Sequence, residues 1–332
     1  MAKNIRHSFL LRTPMAAVLC LLIFQSVSLG QTFNPPATEP AAPQVVFVGL
    51  FINDIFQMDL KSSTYVVDFY VWLRWRGNID PTSIEFVNGS LDLKEHPYSM
   101  EVADEKYISY HCRGTFHAAF DFRRYPLDEH RLNIEMEDAT HDSRELQYVV
   151  DDKNVRDLPA VKLAGWTCTP PQFMVRDNLY PTTFGDPSMP VGGQVRYSHL
   201  SCSIQIFRHS VSLYLKTFLA LFISIAIAFL SFIVKPDQTD ARFALGVAAI
   251  FGAVSSEIVT KSNLPDMPYL TLADKIHLFS LFVIFLSLLH SCLVVRLLRP
   301  YNVRIIDRVD RILLFVFPFS YAAIVVLLTF MW

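Results

Sequence analysis

The chain has 332 residues, 52% of them hydrophobic and 18% charged, and a formal net charge of -2. It is too apolar for an ordinary soluble domain, and the balanced charge, with no Lys/Arg-dense stretch, excludes nucleic acid as a partner. Taken in chain order, the apolarity is concentrated at the two ends.

Lys3, Arg6 and Arg12 precede an apolar run from Ala16 to Leu29 that closes on Ser28, Leu29 and Gly30. A basic start, an apolar run of about 14 residues and small residues at its end predict a signal peptide over 1–30 rather than a membrane anchor. A Pro-rich linker, 31–44, follows. The stretch 45–208 reads as an exported β-rich domain, with short runs punctuated by Gly, Pro, Asn and Asp and no sustained helical period. Between Tyr65 and Arg76, Phe69, Val71, Leu73 and Trp75 alternate with Asp68, Tyr70, Trp72 and Arg74, so one face is core and the other is available. Further strands are expected over 45–56, 107–121, 131–137, 165–176 and 194–207. About seven or more such strands predict a two-sheet, immunoglobulin-like β-sandwich.

Cys20 leaves with the signal peptide and Cys292 lies in an apolar segment, so Cys112, Cys168 and Cys202 remain, an odd number. Cys168 and Cys202 are nearly equidistant from Gly185 to Ser188. A hairpin folded there would set them opposite each other as a cross-strand disulfide, leaving Cys112 free. No pair has zinc-site spacing, and no cofactor or metal is expected.

From 209 to 332 the chain reads as a transmembrane domain, with helices expected over about 210–234, 241–260, 273–298 and 305–331, each close to the roughly 20 residues that span a bilayer. Arg296, Arg299, Arg304, Arg308 and Arg311 cluster between the third and fourth segments, which the positive-inside rule places in the cytoplasm. Crossing parity after an exported N-terminus agrees. The expectation is a multi-pass protein of the cell membrane, in contact with lipids, its N-terminal domain periplasmic or extracellular and its C-terminus on the same side.

The second segment is short, rich in small residues and bracketed by Asp240 and Arg242 at one end and Glu257 and Lys261 at the other. Charges so close to a membrane segment need water. Helical steps from Asp240 give Ala244, Ala248, Phe251, Ser255, Ile258 and Ser262 on one face. Two readings stay open: this stripe lines a pore, or the small residues, Gly246 and Gly252 included, serve helix packing.

The run Asp121-Phe-Arg-Arg-Tyr-Pro-Leu-Asp128-Glu-His-Arg-Leu132, then Gly165-Trp166, four apolar spans, and Asn263-Leu-Pro-Asp-Met-Pro-Tyr269 between the second and third, resembles the pentameric ligand-gated ion channels, the Cys-loop receptor superfamily, over about residues 45–332. The prokaryotic branch is closest, because Ala118 and Leu132 stand where the signature cysteines would be. The resemblance implies a homopentamer that conducts inorganic ions through an axial pore lined by the second helix, opened by a small-molecule agonist or protons between neighbouring sandwiches. It implies coupling through Asp59, Asp128 and Arg208, with Pro265, Pro268 and Tyr269 as the linker on which they act.

On ion sign the resemblance is divided. Asp240 matches an acidic ring that favours cations, whereas Ala241-Arg242-Phe-Ala-Leu245-Gly246 resembles the anion-selective members. Arg242 is two residues from Asp240 and points away from the same helical face, which favours cations. Phe251 and Ile258 would close the pore as apolar rings. Tyr70, Trp72, Phe86, His141, Tyr180 and Phe184 are the candidate ligand-binding residues, aromatic groups suited to a cation; subunit packing is the competing reading for Tyr70 and Trp72. His141 stands where many members have an aromatic residue, which departs from the amine-binding members. His111, His117, His130, His141 and His199 supply groups for proton gating. No nucleophile–base pair is evident, so an enzyme is not expected. The short connection 299–311 offers no domain through which a non-conducting receptor could signal.

Overall fold

The computed structural model describes residues 42–331 except 96, 209, 210, 263 and 299–302. The expected signal peptide over 1–30 lies outside the described residues, as does Arg299. Among the described residues eleven strands come first: β1 (Gln44–Asp59), β2 (Thr64–Arg76), β3 (Ile84–Phe86), β4 (Gly89–Lys94), β5 (Tyr98–Val102), β6 (Glu105–His117), β7 (Glu129–Asp138), β8 (Leu146–Val150), β9 (Thr167–Cys168), β10 (Gln172–Tyr180) and β11 (Val195–Phe207), with a short helix α1 (Asp152–Val155) before β9. Four long helices follow: α2 (Val211–Leu230), α3 (Thr239–Ser262), α4 (Leu272–Leu293), continued by a π-helical turn (Val294–Leu298), and α5 (Val303–Phe330).

The strands form two sheets, one ordered β4-β6-β2-β1-β8 with β5 on β6, the other β10-β11-β7-β3 with β9 on β11. Period-two alternation supplies the core between them. Val67, Phe69, Val71 and Leu73 of β2 and Val46, Val48 and Leu50 of β1 meet Ile134 and Met136 of β7 and Leu200, Cys202 and Ile204 of β11, all buried.

Two expectations are overturned here. Phe86, placed among the ligand-binding residues, is a core residue: β3 pairs Phe86 with Met136 of β7, and the ring packs edge-on against Phe69 at 5.5 Å and Phe116 at 5.8 Å. The Cys168–Cys202 disulfide does not form, and both thiols are free. Strands β10 and β11 pair from Gln172↔Ser203 to Tyr180↔Val195, a register centred between residues 187 and 188, whereas Cys168 and Cys202 would need one centred at 185. Cys202 therefore faces Phe173, and Cys168, on the separate strand β9, faces Ile206.

All four long helices are long and apolar enough to cross a membrane. In α3 the small residues do the packing work on one face: Ala249 and Ala253 are buried, a Cβ on Gly246 would lie 2.1 Å from Leu288 Cδ2 of α4, and one on Gly252 would lie 2.3 Å from Ser224 Oγ of α2. Both neighbours are drawn in to a distance only glycine allows. Gly246→Ala is thus expected to force α3 and α4 apart, at a cost of about 1–3 kcal/mol of overpacking. A lower melting temperature of the detergent-solubilised protein would report it, and an unchanged one would mean that the contact is loose.

Candidate functional site

The loop between β6 and β7 carries the signature run, and it reaches into the helical bundle. Phe122 and Tyr125 are buried in the same apolar cluster as Phe218 and Leu221 of α2 and Ile276 of α4, with Leu60, from the β1–β2 turn, packed alongside. The loop backbone also carries the start of α4. Arg123 O accepts from Leu272 N at 2.8 Å and Tyr125 O from Ala273 N at 3.2 Å. Tyr269 Oη accepts from Phe122 N at 3.2 Å, and the Arg123 guanidinium lies 5.4 Å from the Tyr269 ring centroid. Helix α4 begins there because Thr271 and Asp274 form a reciprocal capping box. Pro265, half-buried, and Pro268, exposed, stiffen the preceding turn.

At the far end of the same loop, Asp128 is fully buried. Its Oδ2 accepts from Arg208 Nη2 at 3.2 Å and from His130 Nε2 at 2.6 Å, and Arg208 N donates to Asp128 O at 3.2 Å. The Arg208 guanidinium stacks 4.0 Å over Trp166 and lies 5.6 Å from Tyr125. Burial would push the Asp128 carboxyl up; the His130 hydrogen bond and the Arg208 charge outweigh it and hold the group below the usual carboxylate value. Asp59, the third expected member, is not at this contact. It is exposed, and its Oδ1 accepts from Lys61 N at 2.8 Å and Ser62 N at 3.3 Å, capping its own turn. His130 and Trp166 complete the site instead; the sequence signalled both, as the histidine two residues after Asp128 and the Gly-Trp pair, without showing that they converge.

On α3, Asp240, Ala244, Ala248, Phe251, Ser255, Ile258 and Ser262 are all exposed, on the face turned away from the buried Arg242, Gly246, Ala249, Ala253 and Ser256. Arg242 is 1% exposed. Its Nε donates to Val234 O at 3.0 Å, Nη2 donates to the same carbonyl at 2.5 Å, and Nη2 is also ion-paired with Asp310 Oδ2. Asp310, on α5, accepts from His290 Nε2 of α4 at 2.7 Å. Nothing in the local pattern of α3 pointed to a partner 68 positions away.

The remaining ligand-binding expectations divide between the sheets. On β2, Tyr70 stacks on His111 at 4.5 Å, and Trp72 Nε1 donates to Asp151 Oδ2 at 3.0 Å. On the other sheet, Tyr180 lies 5.3 Å from Phe184 and 5.9 Å from Tyr197, and its hydroxyl donates to the buried Glu137 at 3.1 Å. Glu137 also accepts from Asn178 at 3.0 Å and lies 2.7 Å from His199 Nδ1. Burial would push the Glu137 carboxyl up, and the His199, Asn178 and Tyr180 hydrogen bonds bring it below its usual value. Burial, reinforced by the Glu137 charge, pushes the Tyr180 phenol up to about 12. His141 Nδ1 is 2.9 Å from Asp138, whose Oδ1 also accepts from His141 N. Beside the β10–β11 hairpin a cavity of about 800 Å³ is lined by Asp142, Arg144, Asp177 and Arg196 among others, and by none of the expected aromatic residues. Glu137, a buried acid on an otherwise alternating strand, was the signal for this cluster that sequence reasoning passed over.

No family model matches the chain. It is 26% identical over 310 residues to the proton-gated ion channel of Gloeobacter violaceus, covering 83% of this chain and 81% of that one. It is 24% identical over 281 residues to the gamma-aminobutyric acid receptor subunit beta-4 of Gallus gallus, covering 76% of this chain and 55% of that subunit. Those relatives, the β-sandwich followed by four membrane-length helices, and the signature loop seated on the α3–α4 turn agree: the homologues of this chain are ligand-gated ion channels.

Proposed function

We propose that the chain forms a cation-selective channel whose axial pore is lined by α3, with Asp240 as the selectivity ring at the end remote from the sandwich. One observation carries this reading: Arg242, the residue that favoured anions, is buried and neutralised by Asp310, whereas Asp240 is exposed. Five carboxylates round a narrow mouth concentrate cations, and the guanidinium that would reverse the field is turned into the bundle. Phe251 and Ile258, 69% and 64% exposed on the same face, are the apolar rings that dewet to shut it. Opening passes from the sandwich through Asp128, Arg208 and His130 to the signature loop, and from there to Pro265, Pro268, Tyr269 and the start of α4. Asp59 contributes by shaping the β1–β2 turn beside Leu60.

Two readings of the agonist have support. A small cationic molecule suits the rings of Tyr180, Phe184 and Tyr197 above the Glu137 carboxylate, with Tyr70 and Trp72 presented by the neighbouring subunit and His141 at the margin. Protons suit His111, which sits between Asp68 at 2.9 Å and Glu95 at 3.2 Å. The hydrogen bonds to Asp68 and then Glu95 raise its pKa above the ordinary histidine value, so the charged form persists to higher pH. The relative named as proton-gated makes this reading concrete.

Reversal potentials in a sodium chloride gradient test ion sign. The wild type is expected to reverse near the sodium equilibrium potential, and Asp240→Asn to move toward zero; a wild type reversing near the chloride potential would refute the proposal. A second prediction concerns pH. The stability that the His111 ion pairs contribute is fully present below about 6.5, the unfolded-state value, and is lost as pH rises through the raised folded value. The melting-temperature gap between wild type and His111→Gln should therefore narrow as pH climbs above neutral; a gap independent of pH would remove His111 from the list of proton-sensitive groups.

A further inference from the structure

Arg242 lies at a meeting point of all four helices. It starts from α3, takes the Val234 carbonyl just beyond α2, and pairs with Asp310 of α5, which in turn holds His290 of α4. Asp310 is 3% exposed, yet α5 is the least buried of the four helices and is distant in sequence from the exposed stripe of α3. We propose that Asp310 is a positioning residue for ion selectivity: it keeps Arg242 out of the lumen, and so leaves Asp240 as the uncontested charge at the pore mouth. This rests on the cation-selective reading above and extends it to a side chain on another helix.

A guanidinium with 1% exposure is tolerable only where carboxylate and carbonyl oxygens take up its donors. The Val234 carbonyl satisfies Nε and part of Nη2 but supplies no charge; among the described residues, Asp310 is the one side chain bonded to Arg242 that supplies it. Without that carboxylate the buried cation is uncompensated, and a long flexible stem lets Arg242 carry its head to water. The adjoining positions Asp240, Ala241 and Phe243 are exposed, so the water it reaches is at the start of α3. There it would set five cations beside five Asp240 carboxylates and cancel the field that selects cations. His290 steadies Asp310 but cannot replace it, because imidazole brings no negative charge.

The experiment compares purified wild-type and Asp310→Asn pentamers in planar bilayers under a sodium chloride gradient, together with phenylglyoxal labelling of Arg242 read by peptide mass spectrometry. Asp310→Asn is expected to shift the reversal potential toward the chloride equilibrium potential and to turn Arg242 from protected to labelled. Arg242→Met in the same background should return the reversal potential toward sodium, a rescue that simple loosening of the bundle would not give. If Asp310→Asn does not assemble alone, mixed pentamers with tagged variant and untagged wild-type chains carry the same labelling test. A variant that keeps the wild-type reversal potential, or whose Arg242 stays unlabelled, overturns the inference. A wild type that already selects anions would defeat the cation reading by itself, while the change in Arg242 labelling would still decide the role of Asp310.

Discussion

A buried carboxylate at the junction of two folding environments sets the terms for the whole chain. Asp128 is fully buried, at the point where an exported sandwich must be joined to a bundle that lives in lipid. An uncompensated charge there would cost several kcal/mol, so Arg208 and His130 are held against it, and Trp166 stacks over the guanidinium. With that end of the loop pinned, Phe122 and Tyr125 are delivered into the bundle core, and the loop carbonyls receive the first amides of α4. The strand end, the signature loop and the turn before α4 thus form one mechanical chain. The Asp128 Oδ1 and Arg208 Nε atoms are buried and without hydrogen-bond partners among the described residues.

Helix α3 solves a different problem at its remote end. It carries an acid and a base two residues apart, and helical geometry alone sends them to different faces. The bundle then decides which of the two meets water. Asp310 and the Val234 carbonyl take the base, and the acid is left outside. On the same helix, Gly246 and Gly252 bring α4 and α2 close, so packing accounts for the small residues on the faces turned from the exposed stripe.

Much of the architecture was legible because it rests on periodicity. The alternation from Tyr65 to Arg76 reports β2 and its inward face, and four apolar runs report four helices. The signature loop could be named from order alone, since its Tyr-Pro-Leu-Asp run and the Leu-Pro turn are both local. What the residues alone did not convey are pairings between distant elements. Arg242 finds Asp310 and Glu137 finds His199, and neither is encoded in a local pattern; Asp128 and Arg208, 80 positions apart, were brought together only by the family resemblance. Phe86 read as a cage residue because aromatic character is visible in sequence and facing is not; the pairing of β3 with β7 turned it inward. The cysteine register failed for a similar reason, since Cys168 lies on β9, which meets β11 at Ile206, and the residue facing Cys202 is Phe173.

The buried Asp128 charge fixes the loop that carries α4, and the rest of the structure depends on this. Hydrogen exchange on purified pentamers addresses it without an agonist, through the amides of Leu272 and Ala273, which donate to Arg123 O and Tyr125 O. In Asp128→Asn the account predicts markedly faster exchange at these two amides, with the β1–β2 core of the sandwich unchanged. Wild-type protection at Leu272 and Ala273 in that variant would contradict it.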